Sequence, residues 1–441
     1  MGSPAEQMSR PCTSLTRQAI APHRREGIAP TGDHHRSSTR RSTGGQSTVD
    51  LIATSFWDGD FALPAAGVSL CAVTSVLPVE MVLSERFDAE TWQPVLFCIA
   101  ENADADALAA LLESGRVRAV HDRIDDQLTE LISAGQPGRV RTDAQWAAAK
   151  AEVLEGKTPA QHGNWVWYPW SGRLVHVLPR EQFRLVRTDR NRDKITRADQ
   201  AVLLDRQIGV IGLSVGNSAA LTCVMEGVGG AFRLADFDRL GLSNLNRLRA
   251  GVHELGVEKT VLCARQMYEI DPYLDIEIWR EGLTADTIDG FVDGLDLLVE
   301  ECDTPWLKIA AREHARRLGI PVLMDTNDRG LLDVERFDLD PDRPLLHGRI
   351  GDTTADDVVG LDRPATIALM LRMVDETRIS PALSGAIDQI GRTLSSWPQL
   401  ASGTMLGGAM VTDTARRVLL GRAVPSGRFY VDLDRLIGWQ S

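Results

Sequence analysis

Short apolar runs alternate with longer segments whose apolar residues recur every three or four positions. Ile208, Val210 and Ile211 form one run, closed by Gly212. Phe232 and Leu234 lie in a second, which ends on Asp236 and Asp238. DIEIW at 275–279 is a third, LDLLVE at 295–300 a fourth, and PVLMD at 321–325 a fifth. Runs of about four to eight residues bounded by polar positions read as buried strands. The segments between them carry a helical period: one opening near Ser214, one over 256–270, and one over 306–318 stopped by Gly319. Strands alternating with helices predict an α/β fold, a doubly wound, Rossmann-like, mostly parallel sheet.

On either side of this core the pattern changes. Residues 68–83 and 93–100 read as buried strands, and 105–114 and 121–134 as helices stopped by Gly115 and Gly135. The aromatic run NWVWYPW at 164–170 reads as a strand packing on the core. Together these predict an additional N-terminal α/β domain over 55–180, with no chemical constellation of its own. The nucleotide-binding domain then spans 187–345. Residues 360–390 and 405–421 read as amphipathic helices, so 346–441 is expected to be a helical or mixed extension that completes the fold. Residues 1–50 are rich in Arg, Ser, Thr, Gly and Pro. That composition predicts a disordered tail, and the lack of an apolar leader core speaks against secretion.

Composition narrows the class. A hydrophobic fraction of 43% with 25% charged residues is that of a globular protein. The net charge of −13 argues against nucleic acid as a partner, because a phosphate backbone calls for a basic face. No apolar run approaches a membrane span in length. The cysteines at 12, 71, 98, 223, 263 and 302 are scattered and predict reduced thiols in a cytoplasmic protein. His314 and His347 stand alone and are expected to be structural.

Candidate chemistry gathers where the strands end. Glycines at 212 and 216 let the backbone approach an anion, and a helix opening there aims its free N–H groups at the same point. Asp236 ends the next strand, the usual place for an acid that holds a ribose. Asn244 and Arg247 are three apart, Lys259 opens a helix, and Asp303 follows the fourth strand. The carboxyl ends of neighbouring parallel strands line one crevice, so these groups converge. Two acids, a guanidinium and an ammonium suit a nucleoside triphosphate with a metal better than a dinucleotide. Asp325 and Asp328 end the fifth strand and are expected to touch substrate or cap a loop.

The same residues resemble the ubiquitin-activating-enzyme-like, ThiF-type family of adenylating enzymes over about 191–345. Its D-x-D followed by S-N-L-x-R matches Asp236, Asp238 and Ser243 to Arg247. Its G-x-x-K matches 256–259, and its C-T-D-N is shortened to Cys302-Asp303-Thr304. The resemblance implies ATP-dependent adenylation of the C-terminal carboxylate of a small protein or peptide. Gly212, Gly216, Asp236, Asp238, Asn244 and Arg192 would bind the nucleotide. Arg247, Lys259 and Asp303 would be catalytic, with Asp303 holding Mg²⁺. Arg192, in a segment similar to the family's N-R-Q-I, would reach the nucleotide of the partner in a homodimer. Two departures stand out. Ser214 and Val215 replace loop glycines, and there is no pair of C-x-x-C motifs, so structural zinc is not expected. An NAD(P)-dependent oxidoreductase and a non-catalytic peptide-binding module remain the alternatives.

Overall fold

The computed structural model describes residues 90–438. The expected tail and the run at 68–83 lie outside them. Two sheets organise the described chain, with strand orders β1-β3-β4-β2 and β11-β10-β9-β8-β5-β6-β7.

The larger sheet carries the site. Its parallel part comprises β5 (Gln207–Ile211), β6 (Ala231–Ala235), β7 (Asp275–Trp279), β8 (Leu297–Glu300) and β9 (Val322–Thr326). These are the five strands expected from the apolar runs. Ile208, Val210, Leu297 and Leu323 are almost fully buried, as strands covered on both faces must be. Antiparallel β10 (Leu331–Glu335) and β11 (Gly427–Tyr430) then extend the β9 edge. Neither shows in the pattern, because β10 carries Asp333 and Glu335 inside a buried strand.

Helices cover both faces. On one lie α6 (Gly216–Glu226), α7 (Lys259–Ile270) and α12 (Ala401–Leu419); their Leu221, Cys263 and Val411 share a core with Ile208 and Leu323. On the other lie α8 (Ile288–Val292), α9 (Pro305–Leu318) and α10 (Arg363–Val374), packed around Ile211, Leu298 and Phe337. Gly319 ends α9 in the left-handed region, as its position predicts. Helix α12 lies very close to α6. A Cβ on Gly408 would stand 2.8 Å from the Ser218 backbone, so only glycine allows that approach.

The smaller sheet comprises β1 (Val95–Phe97), β2 (Ala119–Asp122), β3 (Asn164–Tyr168) and β4 (Arg173–Val177). It is accompanied by α1 (Asn102–Glu113), α2 (Ile124–Gly135) and α3 (Asp143–Leu154). The helix expected over 121–134 therefore begins later. His121 and Asp122 belong to β2, which pairs in parallel with β4, and the Asp122 carboxylate accepts the Ile124 N–H at the turn. The aromatic run forms β3 with Trp167 and Tyr168 buried. Its polar tips reach α7: Tyr168 donates to the Tyr268 carbonyl (3.2 Å) and Trp170 to Glu269 (2.8 Å). Helices α4 (Arg180–Arg187) and α5 (Arg197–Leu204) bridge the sheets. Buried Arg187 caps the carboxyl end of α6 through the Val224 and Met225 carbonyls and pairs with Asp271 at 2.9 Å.

Candidate functional site

Strand order reverses between β5 and β8. The chain runs outward through β6 and β7 on one side, then through β8 and β9 on the other. A crevice opens at the carboxyl ends of the strands beside such a point. Here it is a cavity of about 1070 Å³ whose walls include Gly212, Ser214, Asp236, Asp238, Asn244, Arg247, Lys259 and Asp303. Seven of these, all but Ser214, are residues the sequence reading singled out, and the fold brings them to one crevice; Gly216, also expected to bind nucleotide, is not on its wall.

Gly212 takes φ +83°, and a Cβ on it would lie 2.7 Å from the backbone of Glu301. Only glycine lets the loop turn this tightly against β8. Leu213 N–H then donates to Asp236 Oδ2 (2.7 Å) and Asp238 N–H to Oδ1 (2.8 Å). One carboxylate thus joins the loop after β5 to the loop after β6. Burial pushes Asp236 above the usual carboxylate range, opposed by Lys259 and the two backbone donors. Gly216 opens α6 itself, two residues beyond the expected start.

Arg247 and Lys259 line the same cavity as that carboxylate. Arg247 reaches back to Ser214 Oγ (3.0 Å from Nη2), and burial pulls its guanidinium below its ordinary value. Ser214, which replaces a loop glycine, therefore acts as an anchor for Arg247. Lys259 is buried, 2.6 Å from Asp238 and 3.9 Å from Asp236. Asn244 Oδ1 accepts the Gly241 N–H (2.9 Å), which leaves its amide nitrogen for a ligand. Asp303 is exposed on the cavity wall.

Several features escaped the sequence reading. Glu301 turns its carboxyl inward, where it accepts the Asp325 N–H (2.8 Å). Burial raises both acids, Glu301 well above its ordinary value and Asp325 to about 7, and the charge of Asp325 raises Glu301 further. The visible signal was an apolar strand ending in two acids. Asp328 is a cap, as one of its two expected roles has it: it accepts the N–H and Oγ–H of Ser380. His314 and His347 pair with Asp289 and Asp333, away from the crevice. Arg192 is also absent from the crevice of its own chain. It pairs with Asp189 (3.1 Å), while neighbouring Asn191 donates to the Glu226 carbonyl, at the end of α6 remote from the phosphate loop.

Cys302 lies on the cavity wall, yet burial pushes its thiol well above the usual range, and the adjacent Glu300 charge adds to this. A thiol so rarely ionised is a poor nucleophile. Cys302→Ala is therefore expected to leave the activity of the site within about threefold of wild type, far less than the hundredfold or more that loss of a working catalytic group costs. Loss of activity in a folded variant would assign the thiol a chemical role.

Among the described residues no group of three or more His, Cys, Asp or Glu is placed to hold a metal by itself. Asp303 offers one exposed carboxylate, which would hold magnesium only together with ligands from outside the protein, such as phosphate oxygens and water. No helix among the described residues is long and apolar enough to cross a membrane.

Comparison with known proteins gives the domain its family. Residues 188–326 match the ThiF family. An uncharacterised protein of Mycobacterium tuberculosis (strain CDC 1551 / Oshkosh) is 43% identical over 277 residues, 62% of this chain and 39% of that protein. The chain thus spans well under half the length of this relative. Among solved structures, the E. coli tRNA N6-threonylcarbamoyladenosine dehydratase TcdA, also solved with AMP and with ATP, is 17% identical to this chain. It covers 56% of this chain and 98% of its own, with a TM-score of 0.40. E. coli MccB with MccA-N7isoASN is 13% identical, covering 68% and 81%, with a TM-score of 0.39. PaaA is 16% identical, covering 69% and 82%, with a TM-score of 0.38.

Proposed function

Because residues 188–326 form a ThiF-family domain, we propose that this protein uses ATP to adenylate the C-terminal carboxylate of a small protein or peptide. The observation that carries the reading is the convergence of Arg247, Lys259 and Asp236 on the Gly212 loop at the point where strand order reverses. A dinucleotide oxidoreductase would use Gly212 and Asp236, but a dinucleotide's pyrophosphate carries less negative charge than a triphosphate and so suits Arg247, Lys259 and Asp303 less well.

In this reading the substrate carboxylate attacks the α-phosphorus. The bond from that phosphorus to the bridging oxygen breaks, and its electron pair leaves with pyrophosphate. Charge grows on phosphate oxygens, so positioned cations supply most of the stabilisation. Arg247, fixed by Ser214, faces the phosphates at the loop. Lys259 shifts part of its hydrogen bonding from Asp238 to a phosphate oxygen. Asp236 keeps lone pairs for the ribose hydroxyls beside its two backbone donors. Asp303 would hold Mg²⁺, which supplies charge neutralisation between phosphate groups when bound. A homodimer would bring Arg192 to the partner's nucleotide.

Isothermal titration tests the cofactor class. Mg-ATP is expected to bind at least about tenfold more tightly than NAD, and the charge-reversing Arg247→Glu variant to lose most of that preference. The reverse order of affinities would favour the oxidoreductase.

A further inference from the structure

The cavity has a second wall, supplied by the C-terminal extension. Leu383 of α11 (Pro381–Ile387), Trp397, Leu400, Leu406 and Leu433 line the same cavity as the Gly212 loop. At about 1070 Å³ the cavity lies at the upper end of the range for ligand sites, with space beyond a nucleotide.

Several polar side chains beside this wall are engaged with one another. Asp328 accepts from Ser380, Arg329 Nε donates to Asp432 (2.7 Å), and Asn327 Oδ1 accepts from Thr404 (2.9 Å). Of the apolar side chains on it, Leu400 is 70% exposed and Leu433 47%, and they stand beside the exposed hydroxyls of Ser395, Ser396 and Ser402. The wall's continuity with the phosphate loop in one cavity dictates the occupant. A carboxylate that meets the α-phosphate at that loop carries its own side chain into the adjoining space. Asp303 and Asp434 on the cavity wall make that space unfavourable for a further acid.

Resting on the adenylation reading, we propose that this wall is the acyl subsite and that it selects a large apolar side chain, such as leucine or phenylalanine, on the residue whose carboxylate is activated. Contact with Trp397, Leu400 and Leu406 removes apolar surface from water on both partners. A glycine end would leave the wall wet.

The test uses aminoacyl sulfamoyl adenosines, stable mimics of the acyl adenylate, bound to the full chain in calorimetry with AMP as reference. The leucine and phenylalanine compounds are expected to bind at least about tenfold more tightly than the glycine compound, the scale of pocket discrimination by apolar groups. Leu400→Ser and Trp397→Ser should each reduce that preference while AMP affinity stays within about twofold; Leu400 is exposed enough that its variant folds. AMP binding with equal affinity for all the compounds, or tightest binding of the lysine or glutamate compound, overturns the acyl subsite alone. No binding of AMP or of any compound overturns the adenylation reading as well.

Discussion

Asp303→Asn is expected to slow ATP–pyrophosphate exchange by about two to four orders of magnitude while ATP still binds, the range for removal of one preorganised electrostatic partner. The substitution keeps the shape of the side chain and removes one hard anionic ligand. Asp303 lies three residues beyond Glu300, the end of β8, and is exposed on the wall of the cavity that Gly212 and Lys259 also line. The adenosine contacts proposed for Asp236 would lie at the end of β6 and would be unchanged. The metal that Asp303 would hold matters most where negative charge develops, so the loss falls on the rate more than on affinity. Peptides with free carboxyl ends, wild type and variant side by side, and labelled pyrophosphate supply the assay. Equal exchange by both proteins would remove Asp303 from the chemistry. A wild type that binds ATP but exchanges with no carboxylate would favour the non-catalytic peptide-binding module.

Much of the crevice is legible in the sequence because its parts are local. The Gly212 turn, the acid after β6 and Lys259 at the start of a helix each depend on a few neighbouring residues and on the rule that parallel strands end together. What the sequence hides is set by distant partners. Ser214 looks like a lost glycine until Arg247, 33 positions away, is seen to donate to it. The proposed acyl wall is assembled from the extension; nothing near Trp397 in the chain marks it as lining one cavity with the Gly212 loop. β10 escapes for a related reason. LLDVE reads as too polar for a buried strand until the partners of Asp333 and Glu335 are known. His121 and Asp122 were absorbed into a helical period because a four-residue edge strand is too short to impose a period of two.

Those partners form a buried network whose disruption has the largest expected effect on stability. Arg312 on α9 is fully buried and joins Glu300 at the end of β8 to Glu335 of β10. Lys308, one turn earlier, holds Glu300 at 3.0 Å, and Glu335 also accepts the Leu346 N–H. Glu300 in turn accepts the Cys302 N–H (2.9 Å), so the network reaches the loop that carries Asp303. Arg312→Met keeps an unbranched side chain in place but leaves Glu335 without its cation and Glu300 with Lys308 alone. Breaking a buried pair from one side costs about 3–5 kcal/mol, and that loss is expected in denaturant titrations at pH 7. Acid weakens the same network. Burial by itself would raise Glu300, yet Lys308 and Arg312 hold it at about 2, below the roughly 4.3 of an unfolded glutamate. The stability from this depression is complete above the unfolded value and is lost as pH falls through the folded one. The gap between wild type and Arg312→Met should therefore narrow as pH drops from about 4.5 toward 2. A second variant, Arg312→Met with Glu335→Gln, should recover part of the loss, because the stranded charge is gone. A loss below about 1 kcal/mol at pH 7, or a gap that widens in acid, would show that the network does not carry this stability.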